Sequence, residues 1–222
     1  MSWLVAALYL LGAYQESPPR PTAFDLLTEA EALRCSASDD ACLTREFELR
    51  GRADQNIRRP GGARFTCPDE QDVCLSAAWR RIDHSNLSRL IAIVNERGWP
   101  ALNGEAAMGA WYIAQHADPT PGTDTAAFRE RVAPMVLAEV QAGRLAPDTY
   151  ARMADRNALS RNDAQPFGTL AKCDGARFDR TSVTSVEDAD TRRREVGMDI
   201  LLSESLSYMD ELCAAQVAKA GG

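Results

Sequence analysis

The chain has 222 residues, enough for one large domain or two small ones. No long Gly/Ser/Pro-rich stretch separates two hydrophobic halves, so one domain is expected, with 45% apolar residues to build its core. A net charge of −7 and a pI near 5.0 argue against a nucleic-acid backbone as partner, although Arg58-Arg59 and Arg192-Arg193-Arg194 leave room for a small anion.

From the N-terminus, the apolar run Trp3 to Ala13 is too short to span a bilayer, which needs about 20 residues. It fits a signal-peptide core, with Leu11-Gly12-Ala13 as the cleavage site, so residues 1–13 are expected to be removed on export. No Lys or Arg precedes the run, and the competing reading is a short buried helix in a cytoplasmic protein. Residues 14–22, with Pro18, Pro19 and Pro21, form a linker, and 23–222 a single helical domain without a membrane span.

Helical spacing dominates that domain. Phe24, Leu26, Leu27, Ala30 and Leu33 make one apolar face; Leu43, Phe47, Ala53 and Ile57 make a second, with Asp40 as N-cap and Pro60-Gly61-Gly62 as stop. Asp69 to Glu96 reads as one long helix, or two broken near His84-Ser85, before the turn at Gly98-Trp99-Pro100. Further helices are expected over Glu105 to Gln115, Thr125 to Ala142 with Asp124 as cap, and Pro147 to Leu159. Residues 165–186 break the pattern: Thr169 to Lys172 and Ala176 to Phe178 look like a hairpin around Asp174-Gly175. One last helix is expected from Asp188 to Val217. The fold class is mainly α, a helical bundle with a small β-hairpin-like insert.

Six cysteines behind a possible signal peptide suggest disulfides, and none lies in a Cys-x-x-Cys pair that would suggest zinc or thioredoxin-like chemistry. Spacing suggests local loops at Cys35 and Cys42 and at Cys67 and Cys74, with Cys173 and Cys213 as a long staple; reduced, buried thiols are the alternative. No metal site or cofactor is expected from the two histidines, His84 and His116.

His116 ends an apolar helix in the string Gln115-His116-Ala117-Asp118. An imidazole exchanges protons near neutral pH, and a carboxylate such as Asp118 can orient it; the plainer reading is a histidine capping its own helix. Other polar residues interrupt apolar helices at helical spacing: Asp54 and Arg58 four apart, Asp83 and Asn86 three apart. Buried alone, such groups would cost several kcal/mol, so they must meet one another, water or a ligand.

The ordered set Asp54-Gln55 with Arg58, Asp83 with Asn86, Gly98-Trp99-Pro100, Gln115-His116-Ala117-Asp118, Asp155-Arg156, Gln165-Pro166-Phe167-Gly168-Thr169 and Arg193-Arg194 with Gly197 resembles a bacterial family built around a domain of unknown function. The resemblance covers about Asp54 to Tyr208. Phe167 and Leu170 stand where the family often has Tyr and Gln, and Arg129 where it has Gln. The resemblance implies a polar site centred on His116 and Asp118, with Asp54, Gln55, Arg58, Asp83, Asn86, Gln115, Asp155, Arg156, Gln165, Thr169 and Arg194 as the residues that bind a ligand.

Three functions fit these residues. His116 acts as acid or base and an arginine (Arg58, Arg156 or Arg194) binds an anionic group, for hydrolysis of a phosphate or carboxyl derivative. Alternatively the same residues hold a small ligand or an envelope partner without chemistry, or they are a structural network. No nucleophile elbow, phosphate loop or His-Glu-x-x-His string is present to choose among them.

Overall fold

Local chemistry at the helix ends accounts for most element boundaries in the computed structural model, which describes residues 20–59, 72–116 and 124–220. Helix α1 (Ala23–Ala32) opens on a capping box: the Thr22 hydroxyl accepts from the Asp25 N–H while the Asp25 carboxylate accepts from the Thr22 N–H. Helix α2 (Asp40–Arg58) is capped by Asp39, which accepts from the Cys42 N–H; the expected cap, Asp40, is instead its first helical residue. Helix α3 (Asp72–Arg97) runs unbroken through His84-Ser85 and stops where Gly98 takes φ +85°, a left-handed terminator.

Helices α4 (Gly104–Gln115), α5 (Thr125–Gln141) and α6 (Pro147–Ser160) follow. Asp124 caps α5 through the Ala127 N–H, as expected, and Pro147 opens α6, where its missing N–H is no loss.

The main core packs Phe47 of α2, Leu90 and Ile93 of α3, Trp111 of α4 and Val132 of α5 together. A second cluster joins Leu26, Leu49, Ile57 and Ile82. Where α2 crosses α4 the backbones touch: a Cβ on Gly109 would lie 2.2 Å from the Phe47 carbonyl oxygen, and one on Gly51 2.5 Å from Gly109 Cα. Only glycine fits there, and this close crossing carries the C-terminal end of α4 to the later turns of α2.

The C-terminal third departs from the expected layout in two places. Strands β1 (Cys173–Asp174) and β2 (Arg177–Phe178) pair Cys173 with Phe178, so the hairpin starts later than Thr169; residues 169–172 are a loop tied to side chains of α6 and Gln165. The expected single last helix is two, α7 (Val186–Glu195) and α8 (Leu202–Ala220). Gly197 turns the chain at φ +85°, and Asp190 of α7 caps α8 by accepting from the Leu202 and Ser203 N–H groups.

Disulfides join Cys35 to Cys42 and Cys173 to Cys213, each with Cα atoms 5.5 Å apart. Cys67, the side chain of Cys74 and residues 1–19 lie outside the described residues. Among the described residues no helix is long and apolar enough to cross a membrane.

Candidate functional site

Glu46, Arg50, Asp54 and Arg58 recur every four residues along α2 and make a stripe of alternating charge facing α3. The stripe divides between two neighbouring networks. In one, Arg50 bonds Glu46 (2.8 Å) and Asn86 (3.1 Å), while Arg89 closes on Glu46 at 2.9 Å. Asn86 thus belongs with Glu46, Arg50 and Arg89, residues that the motifs did not single out. The sequence signal for Glu46 and Arg50 was opposite charge at four-residue spacing along α2, and for Arg89 its place three residues after Asn86 on α3.

In the other network Arg58 is a bridge. It donates to Asp54 Oδ1 at 2.8 Å and, with a second nitrogen, to both Asp83 oxygens at 2.7 and 2.9 Å. The Asp54 carboxylate, 1% exposed, also accepts from the Gln55 amide at 2.9 Å and lies 2.8 Å from His116 Nδ1. Asp118 lies outside the described residues; among those described, the carboxylate that meets the imidazole is Asp54, 62 residues earlier in the chain.

His116 ends α4, its N–H donating to the Tyr112 carbonyl, and its ring lies nearly parallel to the Tyr112 ring at 5.8 Å. An ionised carboxylate only accepts hydrogen bonds, so Asp54 fixes the hydrogen of a neutral ring on Nδ1. The lone pair then sits on Nε2, to which no described residue hydrogen-bonds.

A cleft of about 340 Å³ opens beside this ring, lined by His116, Gln55, Gln115 and Tyr112 from α2 and α4, and by Arg152 and Arg156 from α6. Gln115 is 3% exposed, and its Oε1 has no hydrogen-bond partner among the described residues. Such an orphaned acceptor costs energy unless a donor from water or ligand meets it. Arg152 is exposed and pairs with Asp148 at 3.3 Å, the loose kind of surface ion pair that yields readily to another anion. It had no motif to mark it; its place four residues before Arg156 was the available signal.

Three of the expected binding residues, Gln55, Gln115 and Arg156, therefore share one cleft with His116. Asp54, Arg58 and Asp83 stand behind it as a buried support.

The remaining motifs lie apart from the imidazole. Asp155 points away from its neighbour Arg156, as adjacent helical residues do. It accepts from the Phe167 N–H (2.7 Å), the Thr169 N–H (2.6 Å) and the Thr169 hydroxyl (2.6 Å). Burial pushes its carboxyl above the ordinary range, against the pull of these hydrogen bonds and of the Arg193 charge. Gln165 uses both ends of its amide on Leu170, at 3.0 Å each, and so holds Leu170 in the cleft wall.

Arg193 fastens the Phe167, Gly168 and Ile200 carbonyls, at 2.8, 3.1 and 3.0 Å, and burial depresses its pKa. Its neighbour Arg194 is exposed and does not line the cleft. Arg129 reaches Asn157 and Ser160 inside the α5–α6 packing.

Among the described residues no group of three or more His, Cys, Asp or Glu converges to hold a metal ion. Comparisons with protein-family models, curated proteins and solved structures find no match to this chain.

Proposed function

We propose that the protein hydrolyses a small phosphate or carboxyl derivative in this cleft, with His116 as the acid–base group. One observation carries the reading: a buried carboxylate engages Nδ1, and Nε2 is left to a cleft that two arginines line. A histidine that only capped its helix would need neither feature.

The nucleophile is water. The Thr149 hydroxyl, in the cleft wall, is committed to the Ala146 carbonyl at 2.6 Å, and among the described residues no cysteine lines the cleft. Nε2 takes a proton from water as its oxygen bonds to phosphorus or carbon. The bond to the leaving oxygen breaks with its electron pair, and the imidazolium returns the proton to that oxygen. Asp54 stabilises the imidazolium, while Arg156, Arg152 and the Gln55 amide bear on the anionic oxygens.

The test is a panel of chromogenic phosphate and carboxylate esters with wild type, His116→Ala and Asp54→Asn. Loss of acid–base catalysis costs about 10²- to 10⁴-fold in kcat. Undiminished turnover by His116→Ala would refute the mechanism. A second reading, binding without chemistry, draws on the same arginines. It predicts a ligand that binds and is recovered intact.

The ordered motifs support placing the chain with the family that they resemble. The two disulfides support a periplasmic or extracellular setting, because such bonds persist in oxidising compartments. Recovery of the protein only from the cytoplasmic fraction would contradict export.

A further inference from the structure

A second groove, of about 530 Å³, lies on the other side of Arg152. Its character is different: Met198, Ile200, Tyr208, Met209 and Leu212 give it a largely apolar wall. Ile200 and Tyr208 are 61% and 59% exposed, large apolar side chains left open to water at the groove. Scattered single exposures of this kind are ordinary; here two border one groove and give it an apolar rim.

The exposure is built into the fold. Gly197 breaks the last helical segment, and the turn that follows lifts Ile200 outward while Arg193 clamps its carbonyl at 3.0 Å. Asp190 fixes the start of α8, and the Cys173–Cys213 bond ties that helix to the hairpin. The groove is thus firmly held rather than an accident of a loose end.

Asp148 and Arg152 line both the groove and the His116 cleft, so the two spaces share one wall. That wall is the exposed, weak ion pair described above, whose arginine can turn to an incoming anion. Both volumes fall in the range typical of small-molecule sites.

We propose that the ligand is a single-chain amphiphilic anion, with its charged head in the His116 cleft beside Arg156 and Arg152, and its alkyl or acyl arm along the groove bordered by Ile200 and Tyr208. The inference rests on the anion-binding reading of the cleft. A docked protein would account for the apolar groove alone. One amphiphile accounts for the groove, the arginines and their shared wall together.

The experiment is calorimetric titration with inorganic phosphate, then butyl-, hexyl- and octylphosphonate, whose P–C bond the proposed hydrolysis does not cut, each kept below its micelle concentration. Each methylene that enters the groove should tighten binding by about two- to fourfold, the factor expected for partial to full burial. Ile200→Asp and Tyr208→Ser change exposed side chains and leave the fold intact. They should flatten the series to the butyl level without altering the affinity for inorganic phosphate. Arg156→Gln should weaken every member by a similar factor.

A flat series in wild type, with phosphate still bound, would overturn the amphiphile and leave the anion site standing. A steep series unaffected by Ile200→Asp and Tyr208→Ser would place the arm elsewhere and overturn it too. If no member binds, the anion site fails and the amphiphile with it.

Discussion

At Asp54 a single buried carboxylate answers Arg58, Gln55 and His116 at once, and the three contacts are not equivalent. Removing the carboxylate would leave Arg58 half compensated in a buried setting. Asp54→Ala should cost about 3 kcal/mol in chemical denaturation, the scale for breaking a buried ion pair. His116→Ala should cost only about 1 kcal/mol, because Asp54 keeps its other two partners. Equal losses would argue that the imidazole is a brace.

Asp155 supplies a pH test. Its folded-state pKa is raised above the ordinary value of 3.8 by burial, so between the two values the folded chain holds more proton than the unfolded one. The contribution of this group is complete below the ordinary value and is lost as pH rises through the raised one. Asp155→Asn should remove that descending component from a plot of unfolding free energy against pH; an unchanged plot would contradict the assignment. At this scale the motifs named Gln55, Gln115, His116 and Arg156, which the fold brings to one cleft. They could not pair Asp54 with His116, because nothing local encodes a contact across 62 residues.

Among the elements, the α2–α4 crossing depends on two glycines for its close approach as well as on the packing of Phe47 and Trp111. Gly109→Ala would press a methyl group into the Phe47 carbonyl, and a rigid backbone has no rotamer with which to yield. The substitution should lower stability by about 2 kcal/mol or more in denaturant titration and should separate His116 from Asp54. A neutral effect would show that the helices can part without cost. The Cys173–Cys213 bond closes a loop over a separation of 40 residues, and Cys213→Ser should remove about 3–4 kcal/mol in the chain-entropy description.

Helix periods were legible at α1 through α6, as were the starts at Asp124 and Pro147, because apolar spacing and cap residues act locally; the α2 cap falls one residue before the expected Asp40. The break between α7 and α8 was not. An apolar face continues through Val196 and Ile200, and the interruption is enforced by the contacts of Asp190 and Arg193 with distant backbone. The Thr169 loop was mistaken for a strand for the same reason. Its hydrogen bonds go to Asp155 and Gln165 side chains instead of a ladder.

For the whole molecule, the net charge of −7 conceals a local reversal: among the described residues the cleft wall carries two arginines and one aspartate beside His116. An anion entering it gains from nearby charges while the bulk of the surface repels polyanions, which favours a small ligand over nucleic acid.

Thermal unfolding of wild type and His116→Ala, each with and without octylphosphonate, tests the central claim that this cleft is a ligand site. Ligand at one hundred times its Kd adds about 2.7 kcal/mol, or about 5–10 °C for a chain of this size. The account predicts that shift in wild type, its loss for the most part in His116→Ala, and bare proteins that melt within a few degrees of each other. No shift in either protein, with His116→Ala melting far below wild type, would contradict it and make the Asp54–His116 contact a structural brace.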